Sequence, residues 1–327
     1  MGRPHNDRGI SVRLRPAVLL SSLALAALAL SGCSGDPAPE ATQTAEATDL
    51  CGAALPSGAS SEAVKVAGEE GAKPTISLDG PLEITTPERS VVSEGDGDKL
   101  ELGQIIEYGL TVFDATTGDE LQSIGYESAA LPEPVAMDSG TAQLFGCATV
   151  GSRIVATVPG SGEQQPATVY VLDLLSNDTP TAAWGEPQEP VKGEPTVELA
   201  KDGEPTITLP DTEPPAETQV TTLKVGDGAV VESGDGVLVQ YTGVKWSDGS
   251  VFDSSWQRGA ATPMSTTGVV AGFQKALEGQ KVGSQVLVTM PPADGYGSQA
   301  GHELEKETLT FVVDILAAQH TPEQPAQ

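Results

Sequence analysis

Three residues in the last third of the chain, Tyr241, Asp253 and Tyr296, are polar and stand among apolar neighbours. A buried phenol or carboxylate needs a hydrogen-bond partner. Such residues fit the wall of a pocket better than the middle of a core. They belong to a run of short motifs: Tyr241-Thr242-Gly243, Asp248-Gly249, Phe252-Asp253-Ser254-Ser255 and Val269-Val270-Ala271-Gly272-Phe273. Leu277, Gly283, Pro291-Pro292-Ala293-Asp294-Gly295-Tyr296-Gly297 and Leu309-Thr310-Phe311 follow. This set offers ring walls and hydrogen-bonding groups. It does not offer an activated nucleophile or a metal cage. Only His302 and His320 lie beyond the N-terminal segment, and no Gly-x-Ser-x-Gly elbow is present. No Cys/His set suits zinc. Asp96-Gly97-Asp98 lacks the spacing of an EF-hand loop and reads as a turn. Asn177-Asp178-Thr179 reads as a surface loop. Neither metal nor cofactor is expected.

These residues need strands to carry them. Val237–Thr242, Gln285–Met290 and Leu309–Leu316 are rich in β-branched and aromatic residues. Gly234-Asp235-Gly236 and Ser247-Asp248-Gly249 supply turn chemistry. One helix is predicted over Ala271–Glu278, with Phe273 and Leu277 four apart on one face and Gly279 placed to end it. The expected class is α+β: a curved antiparallel sheet with one short helix on its concave face.

In order and spacing these segments resemble the FKBP-type peptidyl-prolyl cis/trans isomerases over residues 220–319. The resemblance implies a catalyst of X–Pro isomerisation. That bond prefers trans only slightly, yet it crosses unaided in tens to hundreds of seconds. The barrier, about 18–20 kcal/mol, reflects amide resonance. Lowering it takes an apolar pocket for the proline ring and surroundings that favour the twisted amide over the planar one. The resemblance assigns that pocket to Tyr241, Phe252, Val269, Val270, Phe273, Tyr296 and Phe311, with Asp253 as its carboxylate. It implies that the Tyr296 hydroxyl holds a substrate carbonyl and that Val270 offers its backbone N–H. Arg258, Met264 and His302 are secondary candidates. Phe273 stands where the family usually has Trp, and Met264 replaces a wall Phe. The loop from Ser298 to Glu307 is polar where apolar residues are usual. Reduced or altered activity and weaker affinity for greasy ligands are expected. The rival reading is a non-catalytic binding or holdase protein using the same pocket.

An internal repeat extends the picture. Pro74-Thr75-Ile76-Ser77-Leu78 parallels Pro205-Thr206-Ile207-Thr208-Leu209, and Ala148–Arg153 parallels Gln280–Gln285. Leu172–Leu175 parallels Val313–Leu316. Val92–Gly97 is set against Val231–Gly236, Tyr108 against Tyr241 and Gly118 against Gly249. Two FKBP-like domains follow, at 52–183 and 220–319. Residues 184–219 are read as a Pro/Glu-rich link carrying a leading strand of the second copy, and 320–327 as a tail. The first copy has Leu121-Gln122 opposite Phe252-Asp253, and a short 159–169 region without a counterpart of Tyr296. It is read as degenerate and non-catalytic.

With 17 Lys+Arg against 46 Asp+Glu, a formal charge of −29, the chain does not suit nucleic acid. The acid reads as solubilising surface. Arg3, Arg8, Arg13 and Arg15 precede an apolar stretch, Ala17–Leu30, too short to span a bilayer. It ends in Leu30-Ser31-Gly32-Cys33, which resembles a bacterial lipobox. Residues 1–32 are therefore expected to be a lipoprotein signal, Cys33 the lipidated residue and 33–51 a flexible tether. In an oxidising compartment the remaining pair, Cys51 and Cys147, can form one disulfide. The expected product is a monomer anchored outside the cytoplasm by its lipid, acting on proline-containing secreted or envelope polypeptides.

Overall fold

The structure is a computed structural model that describes residues 50–127, 130–162 and 165–320. The signal at 1–32, Cys33, most of the tether and the tail beyond His320 lie outside the described residues. The first half contains the helices α1 (Leu50–Ala53) and α2 (Ala59–Glu62) and the strands β1 (Lys65–Ala67), β2 (Thr75–Ser77) and β3 (Glu88–Ser93). β4 (Ile105–Asp114), β5 (Glu120–Ile124), β6 (Glu133–Pro134), α3 (Gly140–Phe145), β7 (Arg153–Val158) and β8 (Thr168–Thr179) follow. The second half contains β9 (Glu186–Pro187), β10 (Thr196–Leu199), β11 (Pro205–Thr208), β12 (Gln219–Val225), β13 (Gly236–Lys245) and β14 (Val251–Ser254). It closes with α4 (Ser255–Arg258), β15 (Thr262–Ser265), α5 (Ala271–Leu277), β16 (Gln285–Met290) and β17 (Leu309–Gln319).

The strands form two antiparallel sheets of one topology. The first runs β3-β7-β8-β4-β5, and the second runs β12-β16-β17-β13-β14 with β9 added beside β12. In each, a short strand also pairs with the start of the long second strand: β6 with β4 and β15 with β13. Each half also has a separate hairpin, β1-β2 or β10-β11. Strand alternation sorts the side chains. On one face of the second sheet, Val237, Val239, Tyr241, Val286, Val288, Met290, Phe311, Val313 and Ile315 pack beneath Phe273, Ala276 and Leu277 of α5. Gly272 lets α5 lie close to the sheet, since a Cβ there would stand 2.6 Å from Cβ of Met290. Gly279, at φ +83°, ends the helical segment.

The structure corrects two of the repeat registers. Gly95-Asp96-Gly97 corresponds to Gly226-Asp227-Gly228, not to Gly234-Asp235-Gly236. The Gly95 N–H donates to the Ser152 hydroxyl and the Gly226 N–H to that of Ser284. A Cβ at either glycine would strike the carbonyl oxygen of Val150 or Val282, at 2.0 and 2.2 Å. Tyr108 is also displaced by two. Gly109 pairs with Asp173 where Gln240 pairs with Asp314, so Leu110 takes the place of Tyr241. Gly118 keeps its match with Gly249, each donating to a carbonyl four residues back.

Domain edges differ as well. Leu50 is buried and Cys51 is bonded to Cys147 through a disulfide, so folded structure begins inside the segment assigned to the tether. Residues 184–219, expected as a link with one leading strand, hold the β10-β11 hairpin and the edge strand β9. From Ala183 to Gln188 the chain lies along the second sheet. The Ala183 N–H donates to Asp314 Oδ2 at 2.9 Å, and its carbonyl accepts from Lys224 Nζ at 2.9 Å. The Trp184 indole donates to Asp227 and lies over Gly283, Gly185 donates to Gly283, and Gln188 donates to Leu223. Ile105 and Leu131 of the first half share an apolar cluster with Leu238, Ala261, Leu316 and Ala317 of the second.

Both sheets bury an aspartate on the face away from the helix. Asp173 is held by Arg153, whose guanidinium also donates to the carbonyls of Gly68, Glu69 and Ala72. Asp314, 1% exposed, has instead Gln285 Nε2 at 2.7 Å and the Ala183 N–H. Burial pushes its carboxyl pKa up. A chain cut just before Gly193 loses the Ala183 donor. It is expected to be less stable than one starting at Thr181 by about 1–3 kcal/mol at neutral pH, measured by urea unfolding. Because the folded pKa is raised, this group's contribution is fully present below its unfolded pKa and is lost as pH rises through the folded value. The deficit is therefore expected to shrink on acidification.

Candidate isomerase site

The second sheet, α5 and the 291–308 segment enclose a cavity of about 490 Å³. Among the residues expected from sequence, Tyr241, Asp253, Met264, Val269, Val270, Phe273, Tyr296 and Phe311 line it. The core of its wall is a set of rings around Phe311. Tyr241, Phe252 and Phe273 each meet Phe311 edge to face, with centroids 6.2, 5.4 and 5.1 Å away. Such pairs add about 0.5–1.5 kcal/mol each beyond area burial. Gly243, on β13 opposite Phe311, is required by this packing. A Cβ there would stand 2.6 Å from the Phe311 ring and 2.9 Å from that of Phe252.

Polar groups close one side. The Tyr241 hydroxyl donates to Asp253 Oδ2 at 2.7 Å and accepts from Arg258 Nη2 at 2.7 Å. Arg258 Nη1 donates to Asp253 Oδ1, and the guanidinium sits 5.3 Å above the Tyr241 ring. Local structure delivers this geometry. Ser254 caps α4 by accepting from the Gln257 N–H, and one helical turn brings Arg258 back over Asp253. Gly259, left-handed at φ +77°, ends the turn. Burial first, and then the bond to Asp253, push the Tyr241 phenol up to about 12. Tyr241 therefore stays a neutral donor across physiological pH.

Val270 caps α5, and its carbonyl accepts from the Phe273 and Gln274 N–H groups. Tyr296 stacks on His302 with ring centroids 4.3 Å apart and planes within 3°. His302 Nδ1 accepts from the Leu304 N–H, which leaves its proton on Nε2. Burial, and then the charge of Asp253, raise the Tyr296 phenol.

Three expected residues stand behind the wall rather than on it. Phe252 supports Phe311, Arg258 holds Asp253 and Tyr241, and His302 supports Tyr296. The polar loop contributes Ser298 and Gln299 to the cavity and returns Leu304 to the core. Sequence reasoning passed over Gly268, Ala271, Ala293, Asp294 and Gly295, which also line it. Their only signal was adjacency to Val269 and Tyr296.

At the matching places in the first sheet the rings are mostly absent. Leu110 replaces Tyr241, Gln122 replaces Asp253, and Leu121, 53% exposed, replaces Phe252. Thr141 of α3 stands for Phe273, and Tyr170 for Phe311. Tyr108 points its hydroxyl to Glu133 at 2.7 Å.

Residues 228–316 match the family described as FKBP-type peptidyl-prolyl cis-trans isomerase. The chain is 38% identical over 115 residues to a probable FK506-binding protein of Corynebacterium glutamicum, covering 35% of this chain and 98% of that one. It is 36% identical over 120 residues to an FK506-binding protein of Streptomyces anulatus, covering 35% and 95%. The crystal structure of FkpA from Escherichia coli matches with a TM-score of 0.31 and 26% identity, over 40% of this chain and 54% of that one. The chain belongs to the FKBP-type peptidyl-prolyl cis-trans isomerase family. It is an isomerase, and residues 228–316 carry the likeness.

In a titration followed by NMR of labelled tyrosine rings, Tyr241 is expected to stay protonated at pH 11. Asp253→Ala, which removes the acceptor of its hydroxyl, is expected to lower its pKa.

Proposed function

We propose that this chain accelerates X–Pro isomerisation in polypeptides outside the cytoplasm, with the cavity around Phe311 as the reacting site. The observation that carries the reading is the cavity itself. Its ring cluster and its Tyr241–Asp253–Arg258 set lie within the segment that matches the family. The proline ring enters between Tyr241, Val269, Phe273 and Phe311. Rigid aromatic walls exclude water, which favours the less dipolar twisted amide over the planar one. Val270 supplies its backbone N–H and Tyr296 its hydroxyl to substrate carbonyls. Asp253 keeps the Tyr241 ring in place, and Arg258 neutralises its charge. No covalent step is needed, because the barrier is one of rotation.

The first sheet is read as a second FKBP-like domain that has lost this chemistry. The replacement of Tyr241, Asp253 and Phe273 by Leu110, Gln122 and Thr141 supports that reading. It serves as a spacer or as a surface for protein partners. The N-terminal sequence ending in Leu30-Ser31-Gly32-Cys33 supports a lipid anchor at Cys33. The Cys51–Cys147 disulfide fits an oxidising compartment.

Isomerisation of short X–Pro peptides by the full chain tests the site. Asp253→Val and Tyr296→Phe are each expected to lower kcat/KM by about tenfold or more, roughly 1.4 kcal/mol of transition-state stabilisation. A folded parent without acceleration would sink the reading. Metabolic labelling with a radioactive fatty acid tests the anchor: the parent is expected to take up label, and Cys33→Ser is expected to take up none.

A further inference from the structure

Tyr296 is carried by neither a helix nor a strand. It follows a 3₁₀ turn, Pro292–Asp294, within the segment that joins β16 to β17. Bonds inside the turn set its shape: Asp294 N–H to Pro291 O, Gly295 N–H to Pro291 and Pro292 O, and Gly297 N–H to Pro292 O at 2.7 Å. None of these fixes where the turn sits on the domain. Asp294 does. Its Oδ2 accepts from Lys275 Nζ of α5 at 2.7 Å and from the hydroxyl of Thr218, the residue just ahead of β12.

We propose that Asp294 is a positioning residue for the isomerase reaction, its carboxylate clamping the Tyr296 turn to α5 and to the head of β12. The proposal rests on the function proposed above and adds a residue to it. The geometry is direct. Val270 caps the start of α5, so a bond from Lys275 to Asp294 sets the separation of the two groups that meet the substrate, the Val270 N–H and the Tyr296 hydroxyl. The Asp294 and Lys275 side chains are 27% and 54% exposed, and an ion pair so placed contributes little to stability. What it can control is position, to which rates are far more sensitive than stability is. Lys275 and then Thr218 hold the Asp294 carboxyl below its ordinary pKa, so the clamp stays charged at neutral pH. Thr218 also closes the segment between the two sheets. That segment is tied again at Thr212, whose carbonyl accepts from the Trp246 indole.

Lys275 and Thr218 do not line the cavity, so both can be changed without altering the space open to substrate. In the full chain, Lys275→Met and Thr218→Val are expected to lower kcat/KM for X–Pro peptides by several-fold, up to about tenfold, mainly through kcat. The thermal midpoint is expected to move by no more than about 2 °C. Lys275→Arg is expected to restore the rate. With Asp294→Asn already present, Lys275→Met is expected to add little. NMR of the same proteins should show the stacked Tyr296 and His302 ring resonances shifting in Lys275→Met. An active parent whose rate is indifferent to Lys275→Met overturns the clamp. So does an equal loss with and without Asp294. An inactive parent overturns the isomerase reading instead, and unshifted ring resonances then reject the clamp separately.

Discussion

The site depends on how closely two strands and a ring can approach. Phe311 on β17 faces Gly243 on β13, and only the lack of a side chain at Gly243 lets the Phe311 ring lie where it does. With that ring in place, Tyr241, Phe252 and Phe273 find edge-to-face partners, and a cavity remains above them. The Tyr241 ring that packs on Phe311 also carries the hydroxyl that meets Asp253 and Arg258. Apolar packing and the polar side of the site are therefore one arrangement. Burial that gives the rings their contacts also raises the Tyr241 phenol.

Much of this was legible in the sequence because periodicity and motif order survive one another's noise. The strands carrying Tyr241 and Phe311, the helix at Ala271 and its stop at Gly279 lie close to where alternation and turn chemistry put them. Cavity residues with distinctive side chains could be named in advance. Those that line it through position alone could not: Ala293 and Gly295 offer no chemistry to recognise, and Asp294 reads as an ordinary turn residue until Lys275 and Thr218 are seen beside it.

The repeat shows the same limit. Identical letters at Tyr108 and Tyr241 gave a register two residues out, because a strand tolerates sliding of its sequence match while its ladder does not. Asp173 and Asp314 fix the register physically, each buried and each needing donors. They also show how one position was supplied twice. The first sheet uses an arginine from the neighbouring strand, and the second uses a glutamine and a backbone N–H from the chain ahead of it. Composition alone marked that stretch as link, since Pro and Glu conceal a segment whose contacts are mostly made by main chain.

The bond between Cys51 and Cys147 carries a mechanical meaning. It joins the first helix of the described chain to the residue just past α3, across a separation of 96 residues. Tension applied ahead of Cys51 crosses to Cys147 through the sulfur atoms, so the segment between them bears no load. Four strands of the first sheet, β3 to β6, lie within that shielded loop, and the remaining two, β7 and β8, follow Cys147. A protein pulled from its N-terminal end would yield first in β7 and β8, beyond the loop, and the loop itself could lengthen only after reduction.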